Sequence, residues 1–403
     1  MRKILMLGGS HFQIPAIKYA RDVGYYVITA DYLPDNPGHQ FSHEYHNVST
    51  VDKEAVLRLA KKLSIDGIIS YASDPGAPTA AYVAQNLDLP GNPYESVLIL
   101  QRKDLFRKFL KENGYLVPVS DSFSNIEEAR GFASDRLKSS PVVIKPVDSS
   151  GSKGVSVIKD LGQFDMAYES AEKYSVSNFV LVEDFIEKAI YEMDGDGFVW
   201  QGKLVFACFG NQHNDLACNP YVPTGISFPY IQKTHIQEKA YDIVDSILGK
   251  LNMQVGGLNI EYLTDKDENI YILEIGPRSG GNLIPEVIRY TTGVDLIAYS
   301  IDGAMGNDCS DLKMKETNGY YSSYILHSQN DGVVQDVHID PSISDKIVQQ
   351  QILVKPGDHV EKFNGSNSTL GTFVLKFENS KEMTSCLDRM NDYIRINLLP
   401  SAI

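Results

Sequence analysis

Residues 1–93 repeat a single pattern, and it restricts the fold more than any other feature of the chain. Short apolar runs alternate with amphipathic ones: "KILMLGG", "HFQIPAIKYARDVG" closed by Gly24, "YYVITAD", "DKEAVLRLAKKLS", "DGIISYAS" and "APTAAYVAQNLD". Strands alternating with helices predict a parallel sheet flanked by helices, because parallel neighbours need a crossover between them. The ligand crevice of such a sheet lies at the carboxyl ends of its strands, where Gly8, Gly9, Ser10, Asp31 and Asp74 fall. A dinucleotide site with Asp31 on the ribose is a rival reading. Against it, "GGSHFQ" lacks the central spacing and the third glycine of G-x-G-x-x-G.

A chain of 403 residues is too long for one small core. After the doubly wound front, "LPGNPYESVLILQRKDLFRKFLKENG" predicts a turn and then a helix running to about Gly114. Strands follow in "SSPVVIKP", "FVLVEDFIE" and "DGFVWQGKLVFACFG", then a helix in "HIQEKAYDIVDSILGKLN" and a hairpin in "GGLNIEYLTDKDENIYILEIGPR". From about residue 310 short strands and turns predominate, which predicts a smaller α+β lobe packed on the rest. The expected division of this mixed α/β and α+β chain is 1–93, 94–305 and 306–403.

Composition narrows the function. A formal net charge of −15 disfavours a nucleic-acid binder or a polybasic membrane-surface protein, but leaves room for a local basic pocket. No run of eighteen apolar residues occurs, and "MRKILMLGG" lacks the long apolar region of a signal peptide. Cys208, Cys218, Cys309 and Cys386 show no C-x-x-C spacing, so reduced thiols in a cytoplasmic protein are expected. His213 lies between the first two cysteines at gaps that suit no usual zinc site. His39, His43 and His46 sit in "DNPGHQFSHEYH", which reads as a loop rather than a metal group.

Two stretches carry chemistry. In "VVIKPVDSSGSKGVSVI" an apolar strand ends at Lys145, and the loop Ser149, Ser150, Gly151, Ser152, Lys153, Gly154 exposes backbone N–H groups to an anion such as phosphate. It is not a Walker A loop, because the G-K-[ST] ending is missing and a strand follows. A plain β-hairpin with a flexible tip fits this stretch alone equally well. In the later hairpin, a turn centred between Asp267 and Glu268 places Glu261 opposite Glu274 and Asn259 opposite Gly276. Like charges facing each other destabilise a sheet, so a cation between them is expected, and a divalent ion with oxygen ligands suits the pair. Arg278 follows directly and can grip phosphate or carboxylate in bidentate fashion. "DKDENIYILE" opens like a calcium loop but has Ile270 and Gly276 where that loop needs glycine and glutamate.

In order and spacing these motifs resemble the ATP-grasp superfamily over almost the whole chain, most closely its phosphoribosylglycinamide synthetase, biotin carboxylase and carboxylate–amine ligase branch. The resemblance implies a pre-ATP-grasp front domain, a central ATP-grasp domain and a small C-terminal lobe. It implies that Lys103 and Lys145 reach the phosphates of ATP, that Ser149 to Gly154 close over them, and that Glu183 with the backbone of Asp184, Phe185 and Ile186 recognises adenine. Glu192 would hold the ribose. Glu261 and Glu274 would bind Mg2+ or Mn2+, and Arg278 would meet the γ-phosphate and an acyl phosphate. Gly276 stands where the family often has asparagine, so Asn259 or Asn282 is expected to supply that oxygen. The front loop "LGGSHFQIP" lacks the G-G-R-E-H pattern of phosphoribosylglycinamide synthetases.

The implied reaction joins a small carboxylate to an amine, with Arg278 and Lys145 acting on the transferring phosphoryl group. A component like biotin carboxylase or carbamoyl phosphate synthetase, and a non-catalytic ATP-binding protein, are the alternatives. No nucleic-acid or membrane partner is expected. A homodimer through the front domain is the arrangement the resemblance suggests.

Overall fold

The computed structural model describes residues 1–365 and 368–400. The front layer runs β1 (Lys3–Leu7), α1 (Ile14–Asp22), β2 (Tyr26–Asp31), β3 (Glu44–Asn47), α2 (Lys53–Leu63), β4 (Gly67–Ile69) and α3 (Ala77–Asn86). Its strands are parallel in the order β3-β2-β1-β4, so the winding reverses beside β1. One face buries Leu5, Leu7 and Ile28 against α2 and α3. The other buries Ile4, Met6 and Val27 against α1 and against Ile297 and Ile301 of a much later helix.

The segment holding the three histidines contains the edge strand β3 rather than only a loop. Its rings do separate work. His39 Nδ1 lies 2.9 Å from Thr29 Oγ1, His43 Nδ1 accepts from the Val27 N–H at 3.0 Å, and His46 Nε2 pairs with Glu44 at 2.7 Å.

The expected continuous helix to Gly114 is two helices, α4 (Tyr94–Gln101) and α5 (Lys103–Glu112). Arg102 between them is extended, and its guanidinium folds onto Asp104 with bonds of 2.9 and 2.6 Å. The Lys103 N–H therefore donates to Val147 O at 2.8 Å instead of continuing the helix. This break seats Lys103 at the head of α5, against the strand of Lys145.

A small antiparallel layer follows: β5 (Ser120–Phe123), α6 (Ile126–Arg136), β6 (Val142–Pro146), β7 (Ser156–Ile158), α7 (Phe164–Tyr174) and β8 (Val180–Asp184). The strands form an antiparallel sheet in the order β5-β8-β6-β7, backed by Ala129, Ala133, Phe164 and Tyr168 of the two helices. The body comprises β9 (Met193–Trp200), β10 (Lys203–Asn214), β11 (Pro223–Phe228), α8 (Thr234–Lys250), β12 (Val255–Thr264), β13 (Ile270–Gly276), α9 (Ile284–Thr292) and α10 (Leu296–Ala304). Helix α10 is the one that covers the front sheet.

The C-terminal region adds β14 (Tyr320–Leu326), β15 (Gly332–Ile339), α11 (Pro341–Ser344), β16 (Ile347–Ile352), β17 (His359–Val360), β18 (Gly371–Phe377), α12 (Ser380–Leu387), α13 (Met390–Tyr393) and β19 (Ile394–Leu398). It does not simply pack on the rest. Strand β14 pairs with β11 from Gly225–Tyr324 to Phe228–Tyr321, giving one eight-stranded sheet, β13-β12-β9-β10-β11-β14-β18-β16. No described helix is long and apolar enough to cross a membrane.

Candidate active site

The small antiparallel sheet, the body sheet and the front crevice enclose one cleft of about 1280 Å³. That exceeds the roughly 300–1,000 Å³ of an ordinary ligand pocket and leaves room for a nucleotide with further substrates. The crevice residues Gly8, Ser10, Asp31 and Asp74 line the same cavity as Lys103, Lys145 and Arg278. Asp31 itself is spent on its own loop, accepting from Leu33 N at 3.1 Å and from Asn36 Nδ2 at 2.9 Å.

Ser149, Ser150, Gly151 and Ser152 line the cleft between β6 and β7, which pair as an antiparallel hairpin. Gly151 and Ser152 have positive φ of 68° and 56°, a left-handed turn that glycine at the first position eases. Gly154 does not line the cleft. A Cβ there would lie 2.9 Å from Ser170 O and 3.1 Å from Ala171 Cα, so its small size serves the close approach to α7.

Lys145 points along its strand onto Glu183 at 2.5 Å, and Arg107 of α5 holds the other oxygen of that carboxylate at 2.8 Å. Burial alone would raise the Glu183 pKa, but the two cations hold it at about 2. Burial lowers the pKa of Lys145 against the pull of Glu183. The Glu183 carboxylate is thus fully committed to these two cations. Residues 183–186 line the cleft, and the Asp184 carboxylate is bound by Arg136 at 2.7 and 2.6 Å. Glu192, just before β9, lines the cleft with its pKa raised by burial, and Lys188 stands 3.8 Å away.

The hairpin pairs Glu261 with Glu274 and Asn259 with Gly276, as its turn predicts. The ladder is nevertheless irregular. A bulge after Glu261 shifts the register, so Thr264 rather than Asp265 faces Ile270. The Leu273 carbonyl at the bulge accepts from Arg107 Nη1 at 2.8 Å, which ties the hairpin to the Glu183 cluster.

On its other side Glu261 faces Asp194 of β9, so three carboxylates form a row across three strands. Burial, then Glu274, Asp194 and Glu192, raise the Glu261 pKa well above the usual range. Burial pushes Asp194 up to about 6 and Asp196 to about 8. Such crowded oxygen donors fit a hard divalent cation. Against them the chain sets Lys103, whose ammonium lies 2.9 Å from Glu274 and also donates to Ser149 O at 3.0 Å. Asn259 Nδ2 donates to Asp194 at 2.8 Å, Gly195 O at 3.3 Å and Asp196 at 3.2 Å, so its carbonyl oxygen is the atom left for the cleft. Asn282 lines the cleft from left-handed backbone at φ 54°.

Arg278 grips Asp74 of the front layer through two bonds of 2.7 and 2.8 Å. Sequence reading named Asp74 as a crevice residue but not as this partner, and it did not single out Arg107, Asp194 or Asp196. A signal for the last two was present. In "MDGDGFVW" two acidic residues recur at a spacing of two inside a strand, a pattern that puts both on one face.

Outside the cleft, Asp215, Cys218 and His327 come together in the group resembling a cation site. One oxygen of Asp215 already accepts from His327 at 2.9 Å, Gln329 at 2.8 Å and Asn391 at 2.6 Å. The group joins the β10–β11 loop to the C-terminal region.

Comparison with known proteins agrees with this layout. Residues 101–282 match the family model described as ATP-grasp domain. The carbamoyl phosphate synthase large chain of Thermotoga petrophila is 27% identical over 332 residues, 79% of this chain; this chain spans only 28% of that protein's length. The structure of an L-amino acid ligase from Bacillus licheniformis superposes with a TM-score of 0.80 at 18% identity, covering 99% of both chains. A phosphoribosylglycinamide synthetase from Anaerococcus prevotii gives 0.75 at 21% identity, covering 99% of this chain and 100% of that one. Residues 101–282 are an ATP-grasp domain, carried in a chain whose whole length has the fold of these solved synthetases and ligases.

Proposed function

We propose that the protein is an ATP-dependent ligase that joins a small carboxylate to an amine and releases ADP and phosphate. The observation that carries this reading is the single cleft in which the loop after Lys145, the Glu261–Glu274 pair, Arg278 and the front crevice all meet. A nucleotide-binding protein needs the first two, but a continuous crevice beside Arg278 provides room for acceptors.

In this mechanism a carboxylate oxygen attacks the γ-phosphorus of ATP and ADP departs. An amine then attacks the carbon of the acyl phosphate, and phosphate leaves together with the amine's surplus proton. Lys103 and Lys145 offset phosphate charge, Arg278 stabilises the transferring group, and the Ser149–Ser152 loop excludes water from the acyl phosphate. Glu261 and Glu274, with the carbonyl oxygen of Asn259, would hold magnesium or manganese, which supplies neutralisation of the phosphate oxygens. Glu192 binds the ribose and the 183–186 backbone the adenine. The four free thiols support a reducing, cytoplasmic setting.

The test is ADP and phosphate release with Mg·ATP against a panel of amino acids, small carboxylates, bicarbonate and phosphoribosylamine. Release that requires both a carboxylate and an amine is expected. Turnover with bicarbonate alone would favour a carboxylase-type reaction, and ATP binding without turnover on any pair would reject the ligase. A second expectation concerns Asp74, which aims Arg278 from across the cleft. Asp74→Ala is expected to lower kcat about 10–100-fold with the KM for ATP little changed, because misplacing a positioned group costs about that much. Steady-state kinetics on the active pair would measure it.

A further inference from the structure

A side chamber of about 180 Å³ adjoins the cleft, sharing Ser10, Phe12, Gly281 and Asn282 with it. Its walls come from the front loop, the start of α9 and the strands β16 and β18, so the front layer, body and C-terminal region all contribute. Two polar groups in it have no partner from another described residue. The Glu286 carboxylate, in the first turn of α9, has no ion-pair or side-chain hydrogen-bond partner among the described residues. The Tyr71 hydroxyl is buried with no hydrogen bond, on a residue only 3% exposed.

The backbone holds Glu286 in place. Asn282 and Leu283 are left-handed at φ 54° and 64°, and the Gly280 N–H donates to both oxygens of Asp196 at 2.9 and 2.8 Å. The chain thus turns sharply from Arg278 into α9. A leucine rarely adopts this conformation, so the turn is held by its surroundings. Glu286 is half-buried; a carboxylate drawn out of water is stabilised by a cation beside it, and a buried phenol normally has an acceptor or donor. Burial pushes the Glu286 pKa up to about 7, with Asp295 adding to the rise, and Glu286 is the largest charge acting on Tyr71. Both groups therefore face a place that would take positive charge and hydrogen-bond donors. Phe12, Pro15, Leu283 and Leu353 make the remaining wall apolar. A cavity of about 150 Å³ is known to hold benzene, so this chamber admits one small organic group and not a nucleotide.

We infer that Glu286 and Tyr71 form the ammonium subsite of the amine substrate, and that the substrate is a small primary amine with an apolar body. The inference rests on the ligase reading for the word substrate, but the subsite itself is testable without turnover. The probes are benzylammonium and its uncharged analogue benzyl alcohol, titrated into the full chain by ligand-observed NMR with and without Mg·ATP. The parent chain is expected to prefer the amine about tenfold or more, since a hydrogen bond to a charged group is worth roughly 1.5–3 kcal/mol. Glu286→Gln should abolish the preference, and Tyr71→Phe should reduce it several-fold while leaving Mg·ATP affinity unchanged. Equal binding of the two probes by the parent chain would overturn the subsite, as would a preference that survives in both variants. Tyr71→Phe keeps the test decisive if Glu286→Gln does not fold. A failure to bind Mg·ATP, with the amine preference intact, would count against the ligase reading alone.

Discussion

Glu274→Gln is expected to slow phosphate release at least about 10²–10³-fold, the usual cost of removing one group that stabilises developing charge. Glu274 faces Glu261 across the ladder, and Lys103 sits on it at 2.9 Å. Amidation removes one of the two anionic oxygens a divalent cation would share and leaves the Lys103 ammonium without its nearest counter-charge. Because Glu274 is only partly buried, the fold should tolerate the change. Single-turnover chemistry and nucleotide titration separate the outcomes. A slowed step with ATP still bound places Glu274 at the transferring phosphoryl group. An unchanged rate would remove the hairpin from the chemistry.

Glu183→Ala is expected to be the most destabilising single change, by about 3–5 kcal/mol, equivalent to a fall in Tm of roughly 10 °C. It strips the shared counter-ion from two nearly buried cations, Arg107 and Lys145, which would then stand close together unpaired. Glu183→Gln should cost less, since the amide oxygen can still accept one hydrogen bond. The pH dependence has a definite sign. The folded value of about 2 lies below the unfolded value of about 4.3, so the stabilisation is present above that unfolded value and is lost as pH falls toward 2. Melts of the parent chain and Glu183→Gln should therefore differ most near pH 7 and draw together only as the pH approaches 2. Parallel curves across that range would mean that the cluster does not hold the fold.

In this cluster a side chain does structural work inside a segment that also lines the cleft. Within "VEDFIE" the Glu183 carboxylate is turned to Lys145 and Arg107, while residues 183–186 line the cleft. Gly154 is a similar case. A glycine in a lid-like loop suggests ligand contact, whereas its neighbours are Ser170 and Ala171 of α7.

Features with a local physical cause were legible in the amino-acid order. The strand–helix alternation of the front layer follows from hydrophobic period, and a short turn with the two-residue period of a strand brings Glu261 and Glu274 near each other, although the bulge after Glu261 is what sets them face to face. The lysine before a glycine-rich loop likewise needs only its neighbours to be read. The break at Arg102 and the strand inside the histidine segment lay at the margin, because periodicity alone does not say where a neighbouring carbonyl takes over a hydrogen bond. Nothing local records the grip of Arg278 on Asp74, which are 204 positions apart, or the acidic row that Asp194 completes on β9. The union of β11 with β14 and the covering of the front sheet by α10 were hidden in the same way. Those contacts are set by which buried charges must be compensated and which apolar faces must be covered once the chain is compact. That condition belongs to the assembled molecule and leaves no period or spacing along the chain.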